Sequence, residues 1–124
     1  LKEQHCICDP LRIIQCLTVL FDNALKYSTS RTLILKNGVS GENNFILVQD
    51  KGPGIPQELQ KYLFQPFQRG EYARSVNPDG CGLGLSVVKA IMLAHGGDVS
   101  YTLTGDNHSV FTLSWPAAKV EKAY

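Results

Sequence analysis

The chain has 124 residues, 44% of them hydrophobic and 19% charged, with a formal net charge of +1. That is enough sequence for one domain with one hydrophobic core, and the composition is that of an ordinary globular chain. The charge balance argues against a bulk nucleic-acid binder, which carries a basic excess, and no apolar run approaches the roughly 18 residues of a membrane span.

In chain order, "QHCIC" (Gln4 to Cys8) alternates and predicts a short strand. Asp9-Pro10 reads as a helix cap followed by the first helical position, and a long helix is predicted from Pro10 to about Tyr27. Wound at about 100° per residue, Ile13, Leu17, Leu20, Phe21 and Ala24 share one side. Arg12, Gln15, Cys16, Asp22, Asn23 and Lys26 share the other, with Val19 as the one apolar residue in the middle of that polar stripe. "RTLILKNG" (31–38) and "NNFILVQD" (43–50) predict two strands joined by a turn within "GVSGEN". "KGPGIP" (51–56) is a break. "PQELQKYLF" (56–64) predicts a short helix with Pro56 at its first position.

Residues 68–82 have no period and exceed the roughly 12 residues usual for loops in compact domains, which marks them as a candidate lid. Leu83 to His95 predicts a second amphipathic helix with Leu85, Val88, Ile91 and Met92 inward, ended by Gly96-Gly97. Residues 98–116 read as two strands around Gly105-Asp106-Asn107. The domain is expected over 1–116, with 117–124 as a tail. The antiparallel pairs with helices between them predict a mixed sheet with helices on one face.

The cysteines are Cys6, Cys8, Cys16 and Cys81. The C-x-C pair has no second pair at metal-ligand spacing, and His5 adds only one donor. These residues read as buried or half-buried free thiols of a reducing compartment.

Four stretches carry chemistry. "DNALKYS" (22–28) lies on the polar face of the long helix. "DKGPGI" (50–55) sits where a strand ends, "LFQPFQRG" (63–70) precedes the loop, and "GCGLGLS" (80–86) opens the second helix. A carboxylate at a strand end, Asp50, can accept from an exocyclic amine, and Gly52 and Gly54 allow backbone to approach a flat ring. Asn23 offers an oxygen to a hard cation such as Mg²⁺, which keeps waters and shares substrate phosphates. Lys26 reaches a phosphate as a point charge. Gly80, Gly82 and Gly84 expose N–H groups at a helix start, an anion site.

Each stretch alone is weak. D-x-G-x-G is mostly a turn, a lone Asn on a helix is usually solvated, and Phe64 and Phe67 read as core. The glycines do not fit G-x-x-x-x-G-K-[ST]. Their joint occurrence, in this order and in these local contexts, carries the reading.

On these motifs the chain resembles the catalytic, ATP-binding domain of sensor histidine kinases, within the superfamily of gyrase, Hsp90 and MutL. The four stretches match its N, G1, F and G2 boxes, over roughly residues 4–116. The resemblance implies an α/β two-layer sandwich of the Bergerat type, a mixed, mostly antiparallel sheet with about three helices on one face and ATP under the lid. It implies Asn23 as the Mg²⁺ ligand, Lys26 on phosphate, Tyr27 flanking the adenine and Asp50 on the adenine amine. Gly52, Gly54 and Ile55 complete the G1 box, Phe67 and Arg69 the F box and lid edge, and Gly80, Gly82, Leu83, Gly84 and Leu85 the phosphate cap.

Asn23 and Lys26 are then the catalytic residues and ATP and Mg²⁺ the cofactors. The partners implied are a helical dimerisation and phosphoacceptor domain of the same protein and a downstream response regulator, with no nucleic acid and a monomeric isolated domain. None of His5, His95 and His108 has the context of the family's acceptor histidine, and His95 reads as structural at a helix end. With no leader legible and Leu1 in place of Met, the chain reads as a cytoplasmic piece of a longer, membrane-anchored protein. One departure stands out: the family places Asn, or Glu in gyrase-like relatives, one turn before Asn23, and this chain has Val19. Valine cannot ligate Mg²⁺, which favours a second reading, a degenerate nucleotide-binding regulatory module without phosphotransfer.

Overall fold

A computed structural model describes residues 6–27, 29, 32–65, 84–106 and 108–117, with only the backbone of Tyr27 described. Helix α1 spans Pro10–Tyr27, the span expected. Pro10 supplies a helical φ, and the Asp9 carbonyl accepts the Ile13 N–H at 3.0 Å. Its buried residues are Ile13, Cys16, Leu20 and Ala24. Cys16 therefore belongs to the core, not to the polar side where the sequence reading put it. It stands three residues after Ile13 and four before Leu20, on the same helix face, and burial pushes its thiol up to about 11.

Strands β1 (Leu33–Ser40) and β2 (Asn43–Lys51) form a hairpin that stays paired to Ser40↔Asn43. The turn is therefore tighter than expected, with Gly41 at φ +60. Helix α2 is only Gln57–Gln60, shorter than the 56–64 helix expected. Pro56 is its cap rather than its first residue, with ψ 137, and residues 61–65 continue as turns through bonds such as Tyr62 N–H to the Leu59 carbonyl at 3.0 Å. Helix α3 spans Gly84–Ala94. Strands β3 (Asp98–Leu103) and β4 (His108–Pro116) follow. No strand forms over residues 6–8, where alternation predicted one. Alternation in so short a run makes a strand only if an edge is free to pair with it.

The described sheet has the order β1-β2-β4-β3, and each of its neighbouring pairs is antiparallel. Residue alternation turns Val48, Asp50, Ser109, Phe111, Leu113, Trp115 and Val99 to one face, where all are buried. There α1 and α3 cover the sheet and complete a core of Ile13, Cys16, Leu20, Val88, Met92 and Trp115. Leu85 and Ile91 pack against this core, so the inward face of α3 is the one expected. Phe64 closes one end, edge-on to Phe111 at 6.4 Å.

The two helices run antiparallel, and two contacts fix their offset. At one end the Asp9 N–H donates to His95 Nε2 at 3.0 Å. At the other, a Cβ on Gly84 would stand 3.1 Å from Val19 Cγ1. Helix α3 ends in a Schellman turn: the Gly97 N–H bonds to the Met92 carbonyl at 2.9 Å and the Gly96 N–H to the Leu93 carbonyl at 3.0 Å, with Gly96 at φ +75.

Candidate functional site

Three of the sequence motifs meet at one end of this helix pair. Val19 is half-buried and packs against the core and against Gly84, so the start of α3 lies over the middle of α1. Asn23 is one turn further along α1, about 6 Å at 1.5 Å per residue. It therefore stands beyond the first turn of α3, on the side toward which that helix's free N–H groups point. Its side chain is half-buried and makes no hydrogen bond to a described residue.

The end of α1 is tied to the end of β2. The Thr29 N–H and hydroxyl both donate to the Lys51 carbonyl, at 2.8 and 3.1 Å. This brings the C-terminal end of α1 to the end of β2, where Asp50 and the glycine break lie. Lys26 is ion-paired with Asp22 at 3.1 Å, one turn back on an exposed face.

Asp50 is the unusual group here. It is 8% exposed, on the inner face of β2 opposite Ser109, and its carboxylate has no hydrogen bond to a described residue. Burial pushes its pKa above the ordinary carboxylate range, and His108 pulls weakly the other way. A buried carboxylate without a donor costs free energy. Such an arrangement suits a group that receives its donor from a ligand.

Gly52 beside it is buried. Gly54 has φ +75, and a Cβ there would stand 2.6 Å from Leu103 Cδ1 and 3.2 Å from the Tyr101 hydroxyl. Glycine at 54 is thus required by the packing of the loop against β3, independently of any ligand. Ile55 is held by the same strand, since its N–H donates to the Tyr101 hydroxyl at 2.9 Å, which also bonds to Ser109 Oγ at 3.1 Å. From the other side Gln60 Nε2 donates to the Ile55 carbonyl at 2.9 Å. Tyr101 and Gln60 are supporting residues that the motif reading did not pick out; the placement of Tyr101 on an alternating strand was its only signal. A cleft of about 550 Å³ between α2 and β3 shares Gly54 and Ile55 with the expected site, but not Asn23, Lys26 or Asp50.

Of the remaining sequence candidates, Gly84 and Leu85 open α3, with Leu85 packed against the core. Phe67, Arg69, Gly80, Gly82 and Leu83, and the expected lid over 68–82, lie outside the described residues. His95 has the structural role expected at the helix end. Its Nδ1–H donates to the Ile91 carbonyl at 2.9 Å while Nε2 accepts from Asp9, which fixes the neutral tautomer.

A buried acceptor at a strand end, a helix pair opening toward it and a glycine-bounded break define a nucleotide-binding α/β sandwich. The sequence pattern of the histidine kinase-, DNA gyrase B- and HSP90-like ATPases matches residues 8–119. The chain belongs to that family, as a catalytic ATP-binding domain of the sensor histidine kinase type. It is 40% identical over 99 residues to the sensor protein RstB of Escherichia coli K12, covering 78% of this chain and 22% of RstB; the chain thus spans about a fifth of that relative's length. The histidine kinase AdeS of Acinetobacter baumannii superposes with a TM-score of 0.74 at 33% identity, covering 95% of this chain and 52% of that one. Full-length ShkA, solved in complex with AMPPNP, superposes with a TM-score of 0.71 at 27% identity, covering 88% of this chain and 22% of that one.

Proposed function

We propose that this domain holds ATP between α1, the 50–55 loop and the start of α3, and presents the γ-phosphoryl group to a histidine on a separate helical domain of a longer protein. The observation that carries the reading is Asp50: a carboxylate only 8% exposed, with no hydrogen bond to a described residue, where the motifs converge. Accepting the adenine amine would satisfy it. The ATP analogue in ShkA supports the same use of this fold. Residues 1–116 form the domain in this reading, with Tyr27, Phe67 and Arg69 flanking the nucleotide and Gly80, Gly82, Leu83, Gly84 and Leu85 capping its phosphates. Asn23 and Lys26 are the catalytic pair. To reach a phosphate, Lys26 gives up its exposed pairing with Asp22, a small cost for a solvated ion pair.

The donor set bears on Mg²⁺. No group of three or more His, Cys, Asp or Glu gathers among the described residues, Asp22 is engaged by Lys26, and Val19 offers no oxygen. Asn23 alone fits an ion that takes its other positions from phosphates and water, as Mg²⁺ readily does. Such an ion, when bound, neutralises charge on the phosphates during transfer. The chain's own contribution is position: Asn23 and Lys26 orient the phosphates, Asp50 sets the base, and the α3 N-terminus faces the anion.

The full-length protein would pass the phosphoryl group on to a response regulator, with this domain on the cytoplasmic side of a membrane-anchored parent and monomeric when isolated. No helix among the described residues is long and apolar enough to cross a membrane. Val19 favours a second reading, a nucleotide-binding regulatory module without transfer. Incubating the full-length protein with γ-labelled ATP separates the two. Label on histidine supports the kinase; nucleotide binding without label supports the module; no nucleotide binding defeats both.

A further inference from the structure

We propose that Cys6 and Cys8 form a reversible dithiol–disulfide site, oxidised by small-molecule disulfides, at the segment leading into α1. The Sγ atoms stand 3.8 Å apart although the residues are only two positions apart. Both side chains therefore project to the same side of an irregular stretch, where an extended strand would also have placed them but without a bend. A disulfide has sulfurs about 2.0 Å apart, so closure needs under 2 Å of further approach, within reach of side-chain rotation and a small backbone adjustment.

The surroundings favour this pair over the other thiol described. Cys6 is exposed and Cys8 half-buried, whereas Cys16 is sealed in the core. The exposure of Cys6 corrects the expectation that these thiols are buried or half-buried. Cys8 is anchored from the chain's C-terminal side, because Asp9 heads α1 and its N–H is bonded to His95 at the end of α3. Cys6 is thus the accessible sulfur and Cys8 the held one. Burial, the neighbouring Cys6 thiol and the charge of Asp9 keep the Cys8 thiol protonated to higher pH than a free cysteine. That slows its reaction with reagents in solution and leaves first attack to Cys6.

The chemistry balances as thiol–disulfide exchange. The Cys6 thiolate attacks one sulfur of a disulfide such as glutathione disulfide, expelling one thiolate and leaving a mixed disulfide. The Cys8 sulfur gives up its proton to solvent, attacks Cys6 Sγ and expels the second thiolate. Two protein thiols become one disulfide and one small disulfide becomes two thiols. A ring closed between residues two apart is small, and the resulting strain makes the bond easy to reduce again. So short a loop also adds little stability. The site is suited to reporting redox state at the segment that leads into α1, not to holding the fold together.

The test uses the reduced 124-residue chain in buffers of graded reduced to oxidised glutathione, quenched with acid and read by intact mass and peptide mapping. The expected product is a monomer lighter by two hydrogens, mapping to a Cys6–Cys8 link, and restored by excess reduced glutathione. Cys8→Ser is expected to stop at one glutathione adduct on Cys6, while Cys16→Ser and Cys81→Ser still form the link. Thiols at 6 and 8 that remain free in excess glutathione disulfide would overturn the proposal. So would a link from either residue to Cys81, or a disulfide-bonded dimer as the main product.

Discussion

At the scale of single residues, Asp50 carries a cost that the proposed adenine contact would offset. Its carboxyl is held above the ordinary range by burial, so the fold prefers it protonated. Ionisation destabilises the domain as pH rises from the unfolded-chain value of 3.8 through the higher folded value, and the penalty persists above it. Asp50→Asn should therefore melt above the wild type at pH 7, with the difference closing in acid. The same substitution should weaken ATP binding about tenfold or more, the effect of losing a charged hydrogen-bond acceptor. Thermal melts at several pH values and calorimetry read the two effects separately; a stabilised variant with unchanged ATP affinity would remove Asp50 from the site. Val19 poses a different trade. Its methyl groups sit against Gly84, so Val19→Asn should cost about 1 kcal/mol or more in stability by burying an amide there. It also puts an oxygen beside the first turn of α3, on the face that holds Asn23 one turn on. ATP affinity measured with and without Mg²⁺ should show a larger Mg²⁺ effect in Val19→Asn, and an unchanged effect would mean that position 19 does not reach the ion.

At the scale of elements, the site depends on how α3 is fastened at its far end. Glycine at 97 is dictated by the neighbouring strand, because a Cβ there would run into the carbonyl of Ser114. Gly97→Ala should destabilise by more than about 2 kcal/mol, the range of strained or overpacked substitutions, and denaturant unfolding measures it. The Lys89–Asp98 pair, 2.6 Å apart, bridges the same turn. The Lys89 hydrogen bond is the main reason the Asp98 carboxyl is held below its ordinary value. Its contribution is present above the unfolded value of 3.8 and is lost as pH falls through the lower folded value. Asp98→Asn should cost less than about 1 kcal/mol at pH 7, since the pair is exposed, and the two proteins should converge in strong acid. These elements also show what sequence could reveal. The bounds of α1 were legible because Pro10 and the helical period are local signals. Cys16 was misplaced because a thiol among polar neighbours looks polar, although its spacing from Ile13 and Leu20 is that of a core residue. The strand predicted at 4–8 failed over its described part because alternation says nothing about a free edge. Asp50 and Asn23 stood out through local motifs, whereas Tyr101 steadies Ile55 across 46 positions of chain, a contact only the folded sheet can reveal.

At the scale of the whole molecule, one sheet face carries two antiparallel helices pinned at opposite ends, by Asp9 with His95 and by Val19 with Gly84. The pinned offset leaves Asn23 past the start of α3, and the Thr29 bonds to Lys51 bring the end of α1 to the end of β2, where Asp50 lies. In the proposed function the chain contributes positioning, so substitutions of Asn23 and Asp50 should change binding and transfer without unfolding the domain. The central claim is that ATP binds between α1, the 50–55 loop and the start of α3. Titration calorimetry of ATP into the wild-type chain, Asp50→Asn and Asn23→Ala, each with and without Mg²⁺, tests it most directly. The account predicts a wild type that binds ATP, an Asp50→Asn variant weakened about tenfold or more in both conditions, and an Asn23→Ala variant that binds ATP but no longer responds to Mg²⁺. Equal affinity and equal Mg²⁺ response in all three folded proteins would contradict it.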